Sequence, residues 1–394
     1  MRQIARPVAV LFCFTFSLAV LSNAAQAQTE TVLFDIGRFP YGSLAMDQQG
    51  RIYGTVSNAG ANAGGEVYRL TRVNGSWTLS VLYSFGYQDQ GGSNPQAGVA
   101  IARDGTLYGT TSQYGAFGYG TVYRLQPSPN RCSTVMCPWI KTTLYNFTGG
   151  ADGGYPAYGT LVFDQAGNIY GTTSEGGNHS SGVVYKLAPS GGGWTESVIF
   201  NFPGDASGGG GFPISGVIFD SAGNLYGTGA GPPAVYELSP TQSGWTETTL
   251  STSGGGFGGV TFDAHGNLFG MTGNGPGGGD AAVYELTRQN GNWTTTILHD
   301  FGQQYVAPAA APTFDSQGNL YGPIPVSTLD ELGEIFKLTP SGNQWIYTPY
   351  YQFTGGNQGA GPFGGIVFDA GGNMYGTTAA PIGGGTQTVW EITP

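Results

Sequence analysis

Val217–Thr228 reads VIFDSAGNLYGT, and the pattern returns six more times: LAMDQQGRIYGT from Leu44, VAIARDGTLYGT from Val99, LVFDQAGNIYGT from Leu161, VTFDAHGNLFGM from Val260, PTFDSQGNLYGP from Pro312 and IVFDAGGNMYGT from Ile366. Between their aromatics (Tyr53, Tyr108, Tyr170, Tyr226, Phe269, Tyr321 and Tyr375) the copies lie 55, 62, 56, 43, 52 and 54 residues apart. A period of that length marks a repeat architecture, so the fold follows from what one unit does.

Within the unit, β-branched, aliphatic and aromatic residues flank a DxxG turn, which reads as two short strands joined by a hairpin. The aspartate side chain can accept a backbone N–H two residues on, and the glycine can take positive φ. The glycine stands in all seven copies and the aspartate in six, with Ala102 in its place in the second. A calcium loop would need several oxygen ligands at alternating positions, so turn chemistry is the simpler account. Downstream come VYRL at Val67 and Val122, VYKL at Val184, VYEL at Val235 and Val283, IFKL at Ile335 and VWEI at Val389. Their alternation predicts a third strand with one buried face. A tryptophan (Trp77, Trp139, Trp194, Trp245, Trp293, Trp345) and a fourth apolar strand follow in the first six units. Each unit is thus a four-stranded antiparallel meander, which needs neighbours to cover its faces.

The seventh unit reaches its third strand and lacks a fourth, while TETVLF at Thr29–Phe34 resembles the fourth-strand sequences WTESVIF and WTETTL. Seven units with one borrowed strand predict a seven-bladed β-propeller, closed by pairing the N-terminal strand with the last one; closure also hides sheet edges.

The succession GGVxFDxxGNLYGTT, GxVYxL and WxxxxLYxF resembles the repeat of the choice-of-anchor GloVer (Gloeobacter/Verrucomicrobia-type) exported bacterial proteins. Gly159–Thr173 and Gly364–Thr378 carry it best, and Pro312–Pro323 departs most. The resemblance implies a propeller and export, and no known reaction; members often bear a C-terminal surface anchor, which is not visible here. The hairpin is similar, more loosely, to NHL-type propeller repeats.

Residues 1–27 read as a secretory signal: Arg2 and Arg6, an apolar core from Val8 to Leu21, and Ala25-Gln26-Ala27 at the expected cleavage site. The core is too short to span a bilayer, so residues 28–394 are expected as a soluble exported propeller, monomeric and without cofactor. Past residue 27, 11 basic residues face 24 acidic ones, a net charge of −13 that disfavours nucleic acid and anionic lipid. The 71 glycines could suggest disorder, but 13% aromatic content supplies the burial that disordered chains lack. Cys132 and Cys137 lie in an insertion between the third and fourth strands of the second unit, where a local disulfide is the simplest reading; no nearby ligand set suggests zinc.

With the fourth strand outermost, the loops joining units and those between second and third strands share one face. Loops on a rigid scaffold are where binding residues concentrate. Candidates there are Asp89, Asp152 and Asp205 in glycine-rich loops, which turn chemistry also explains. Tyr41, Tyr158, Phe257 and Phe363 stand three residues before inner strands, placed either to stack on a ligand at the tunnel mouth or to fill contacts between blades. Tyr114, Phe117 and Tyr119 decorate SQYGAFGYG. Of the three histidines, His179 lies beside Glu175 in SEGGNHSSG, an acid and imidazole pair that could serve catalysis or metal, or be a solvated loop.

These features favour an exported, non-catalytic propeller that binds a carbohydrate, peptide or partner protein through its loop face. The alternatives are a lyase or hydrolase acting on a polysaccharide or lactone at the mouth, and a structural envelope or matrix protein.

Overall fold

The computed structural model describes residues 28–37, 40–58, 60–128, 139–156, 158–204, 211–231, 234–252, 258–272, 281–302, 310–325, 332–379 and 386–394. The expected signal segment, Cys132, Cys137, Asp205 and Phe257 lie outside them.

Each repeat folds into one antiparallel blade, and the seven blades form a propeller. Blades are numbered here in chain order. The third shows the pattern: Val162–Phe163 innermost, then Ile169–Thr173, Val183–Ser190 and Gly193–Asn201. Blade 4 adds a two-residue strand, Phe212–Pro213, against Gly229 and Ala230. Blade 7 is made of Val367–Phe368, Met374–Thr377, Thr388–Thr393 and, outermost, Thr29–Asp35 from the other end of the chain. That strand pairs Val32 with Trp390 and Thr29 with Thr393, closing the ring as its sequence suggests. Among the described residues no helix is long and apolar enough to cross a membrane.

Hydrophobic burial lies between blades. Among the described residues seven apolar clusters occur, each shared by two neighbours, and the cluster joining Tyr375 and Val389 of blade 7 to Leu44, Ile52 and Tyr68 of blade 1 completes the circle. The expectation of one buried face on the third strand is corrected here. Val183, Val184 and Tyr185 are all fully buried, with Val183 and Tyr185 turned to blade 2 and Val184 to blade 4. A blade stacked on both sides has no solvent face along its middle strands, and each such side chain stabilises the ring by roughly 1.5–3 kcal/mol.

The glycine of LYGT is a packing requirement. Gly171 sits opposite Tyr185, whose ring lies across it, so a Cβ there would collide with the phenol. The same relation joins Gly54 to Tyr68, Gly227 to Tyr236, Gly322 to Phe336 and Gly376 to Trp390.

A polar rung stitches the seams near the rim. The outer-strand residue opposite the third-strand Leu or Ile faces the preceding blade: Lys141 lies over Tyr83, Thr295 bonds Ser251 at 3.3 Å, Tyr347 stacks on His299 at 3.8 Å, and Glu30 accepts from Tyr351 at 3.1 Å. The last contact ties the N-terminal strand to blade 6 as well as to blade 7.

Candidate functional site

The two faces of the disk differ in chemistry. On one lie the DxxG hairpins. Asp164 Oδ1 accepts the backbone N–H groups of Ala166 and Asn168, both at 2.9 Å, while Oδ2 accepts Asn168 Nδ2 at 2.6 Å and the Tyr170 hydroxyl at 3.0 Å. Asp220, Asp315 and Asp369 repeat all four bonds, Asp263 repeats those to the turn, and in blade 1 the Arg51 guanidinium replaces the Asn amide on Asp47. The turn glycines hold φ between 71° and 89°. Burial by itself would raise the carboxyls of Asp47, Asp164, Asp220 and Asp369, but the bonds they accept hold them below the usual carboxylate range. These aspartates are spent on the turn and on latching the aromatic of the second strand.

The opposite, loop face carries the aromatic candidates. Tyr41 of blade 1 meets Phe363 of blade 7 edge to face, with ring centroids 5.5 Å apart. Burial raises the Tyr41 phenol, and the Tyr158 phenol of blade 3 lies near enough to add to the rise. Tyr158 is 49% exposed. Tyr41 and Phe363 thus meet in ring contact, with the Tyr158 phenol of a third blade close to Tyr41, on the lead-in segments of the loop face. They stand on a tight collar: Thr377 donates to the Pro40 carbonyl at 3.2 Å, Gly365 N–H to Ser43 Oγ at 3.1 Å, and a Cβ on Gly98 or Gly216 would strike the neighbouring lead-in backbone. Below the collar, the innermost strands (Ala45–Met46, Ala100–Ile101, Val162–Phe163, Ile218–Phe219, Val260–Phe262, Thr313–Phe314, Val367–Phe368) hold no charged residue.

Farther from the axis, Tyr119 pairs edge to face with Tyr155 at 5.6 Å and Tyr87 with Tyr114 at 5.7 Å. Phe117 is 60% and Tyr87 63% exposed. The Tyr155 N–H donates to the Tyr119 carbonyl at 2.9 Å, and the Tyr119 ring covers Gly149, where a Cβ would have no room. Tyr114 and Tyr155 hold φ of 59° and 55°. Bulky side chains are costly in that region and persist only where surrounding contacts impose it, as Tyr119 and Ser174 do on Tyr155. Sequence reading missed Tyr87 and Tyr155. The available signal was their rank, directly after an outer strand in SFGYQD and three residues before Tyr158 in GGYPAYG.

The ionisable candidates do not assemble with one another. Asp152 accepts the Tyr145 hydroxyl and the Thr148 N–H, both at 2.9 Å, and the Thr148 hydroxyl, while Asp89 accepts Gly91 N–H at 2.9 Å. Both work as turn residues. Glu175 pairs its backbone with Gly154 and leaves its carboxylate exposed; His179 is exposed, with its carbonyl accepting from Ser181. Among the described residues no hydrogen bond links those two side chains, and no three His, Cys, Asp or Glu residues converge as a metal site would require. His299 stacks on Tyr347, its imidazole lowered by burial against the pull of Glu334 and Asp300. The most perturbed carboxyl, Glu196, occupies the seam rung: burial first, then Asp152, pushes it up to about 7.

Residues 39–254, more than half of the 394, match the Gloeobacter/Verrucomicrobia repeat. The chain belongs to that family. Members of the family share the blade sequence, and the match spans blades 1 to 4 of the ring. Solved structures with a similar fold include YCF48 from Cyanidioschyzon merolae (13% identity, 93% of this chain, 99% of that one, TM-score 0.56). A putative 6-phosphogluconolactonase from Bacteroides uniformis follows (13%, 82% and 88%, TM-score 0.51). A putative oxidoreductase, described as a glucose dehydrogenase, from Thermus thermophilus gives a TM-score of 0.47 at 14% identity over 93% and 100%. For the first two, at these identities, the likeness is one of fold. Among curated proteins none matches the sequence.

Proposed function

We propose that this chain is an exported, non-catalytic binding protein that takes a carbohydrate or peptide ligand at the tunnel mouth on its loop face. The observation that carries the reading is the gathering of Tyr41, Phe363 and Tyr158 from blades 1, 7 and 3 on a rigid collar. Rings fixed before the ligand arrives lose little entropy on binding, and tyrosine offers an apolar face with a polar tip. The uncharged inner strands and the dispersed acids favour binding over acid–base chemistry. Export rests on the character of residues 1–27, two arginines ahead of an apolar core and a small-residue cleavage site.

The test is a binding screen on glycan and peptide arrays with the parent, Tyr41→Ala and Tyr158→Ala, each checked for an unchanged unfolding temperature. The reading expects a ligand for the parent and weaker binding by both variants. A parent that binds nothing on either array, or variants that bind as the parent does, would remove it.

A further inference from the structure

The tyrosines of the loop face lie in an order that the topology imposes. Tyr87 follows directly on Gly86, the end of the outermost strand of blade 1, and so stands at the rim. Tyr114 and Tyr119 lie in the loop between the second and third strands of blade 2, at intermediate radius. The segment that carries Tyr155 and Tyr158 runs from Asn146, the end of the outermost strand of blade 2, to Val162, the start of the innermost strand of blade 3. Tyr41 stands at the mouth. Ring contacts link Tyr87 with Tyr114 and Tyr119 with Tyr155, and the Tyr41 phenol feels that of Tyr158.

We infer that these six tyrosines form a track for a neutral polysaccharide chain, laid from the rim across blade 2 to the tunnel mouth. The inference rests on the mouth reading above and adds the ligand's class and its path. Charge decides the class. The acids beside the track are Asp89, Asp152 and Glu175; Asp152 is filled by Thr148 and Tyr145, and Asp89 is engaged with Gly91. The neighbouring cation, Lys141, is turned into the seam, where it donates to the Gly91 carbonyl and lies over Tyr83 and Phe85. Among the described residues an anionic polymer would find no free counter-charge along the track, and a cationic peptide would find two of the three carboxylates already engaged, with Glu175 alone exposed. What the surface offers is ring faces and backbone amides of a glycine-rich loop. The C–H faces of a neutral sugar carry partial positive charge and match the negative face of an aromatic ring. Tyrosine supplies such contacts at small cost in side-chain freedom. Two ring pairs in a row, rather than one cage, suit a chain whose successive sugars bind as linked sites.

The test is affinity electrophoresis through gels containing β-glucan, galactomannan or, as an anionic control, dextran sulfate, together with titration by β-glucan oligosaccharides from disaccharide to hexasaccharide. Parent, Tyr87→Ala, Tyr119→Ala and Tyr41→Ala proteins of equal unfolding temperature are compared. The track predicts retardation by a neutral polymer and none by dextran sulfate, affinity rising by about tenfold or more with oligosaccharide length, and weakening by rim and mouth substitutions alike. Binding of short sugars that Tyr41→Ala abolishes, with no gain from length and no effect at Tyr87 or Tyr119, would overturn the track and leave the mouth reading standing. Retardation by dextran sulfate alone would overturn the neutral class, and a parent that binds no probe here nor any ligand on the arrays would remove both.

Discussion

Val32 lies opposite Trp390 in the antiparallel ladder that joins the two ends of the chain, and Trp390 is fully buried between blades 6 and 7. The same strand places Leu33 and Phe34 against blade 1, so both neighbours of the last seam depend on it.

Removing Thr29–Asp35 exposes the edge of blade 7 and uncovers that seam. The expected outcome is a broad unfolding transition and a markedly lower unfolding temperature by calorimetry. Trp390→Ala leaves the ring closed but opens a cavity over Gly376, with an expected loss of about 3–5 kcal/mol in denaturant unfolding.

Gly171→Ala places a methyl group against the Tyr185 phenol and is expected to destabilise by about 1–3 kcal/mol. Tyr185→Phe is expected to fold normally, because blade 6 holds Phe336 over Gly322 at the same place. Urea titrations of the two single variants separate a need for the glycine from a need for the hydroxyl.

The hairpin aspartates tie stability to acid pH. Their folded carboxyls titrate below the ordinary value of 3.8, so their contribution is complete above that value and disappears as pH falls through the lower folded one. Asp164→Ala leaves two turn N–H groups and the Tyr170 hydroxyl without their acceptor and is expected to cost about 1–3 kcal/mol at neutral pH. Asp220→Ala in the next blade should add to it almost fully, since separate turns share no partner. Chemical unfolding at pH about 7 and about 3 checks both; the difference between parent and variant should shrink at the lower pH.

Glu196 acts in the opposite sense. Its folded carboxyl is raised from 4.5 to about 7, so the fold holds this proton more tightly than the unfolded chain does. Stability therefore declines as pH climbs from 4.5 to about 7, and Glu196→Gln is expected to flatten that slope. Unfolding temperatures across the window measure it, and an unchanged slope would show that another group is responsible.

The blade, its repetition and the borrowed strand were legible because they are local: a turn, two alternating segments and a tryptophan recur in fixed order. What pairs across blades was not. The seam rung sets Lys141 against Tyr83 and Glu30 against Tyr351, residues whose contact follows only from stacking. Alternation in VYKL also misled as to exposure, since Lys186 lies over the Tyr170 ring on the side where Val184 packs against blade 4, while Val183, Tyr185 and Leu187 serve the seam with blade 2. At the candidate site, Tyr41 and Phe363 share a rank in the repeat, and that rank brought them forward. Their contact depends on ring closure, and Tyr155 came into view only through its bond to Tyr119.

Ring closure is the claim on which the mouth depends, because Tyr41 follows the N-terminal strand by a few residues and meets Phe363 across the last seam. Hydrogen exchange of the amides in residues 29–35 tests it most directly. The account predicts protection as strong as that of residues 388–393, lost from both segments together on heating. Rapid exchange of 29–35 while 388–393 stays protected would contradict it.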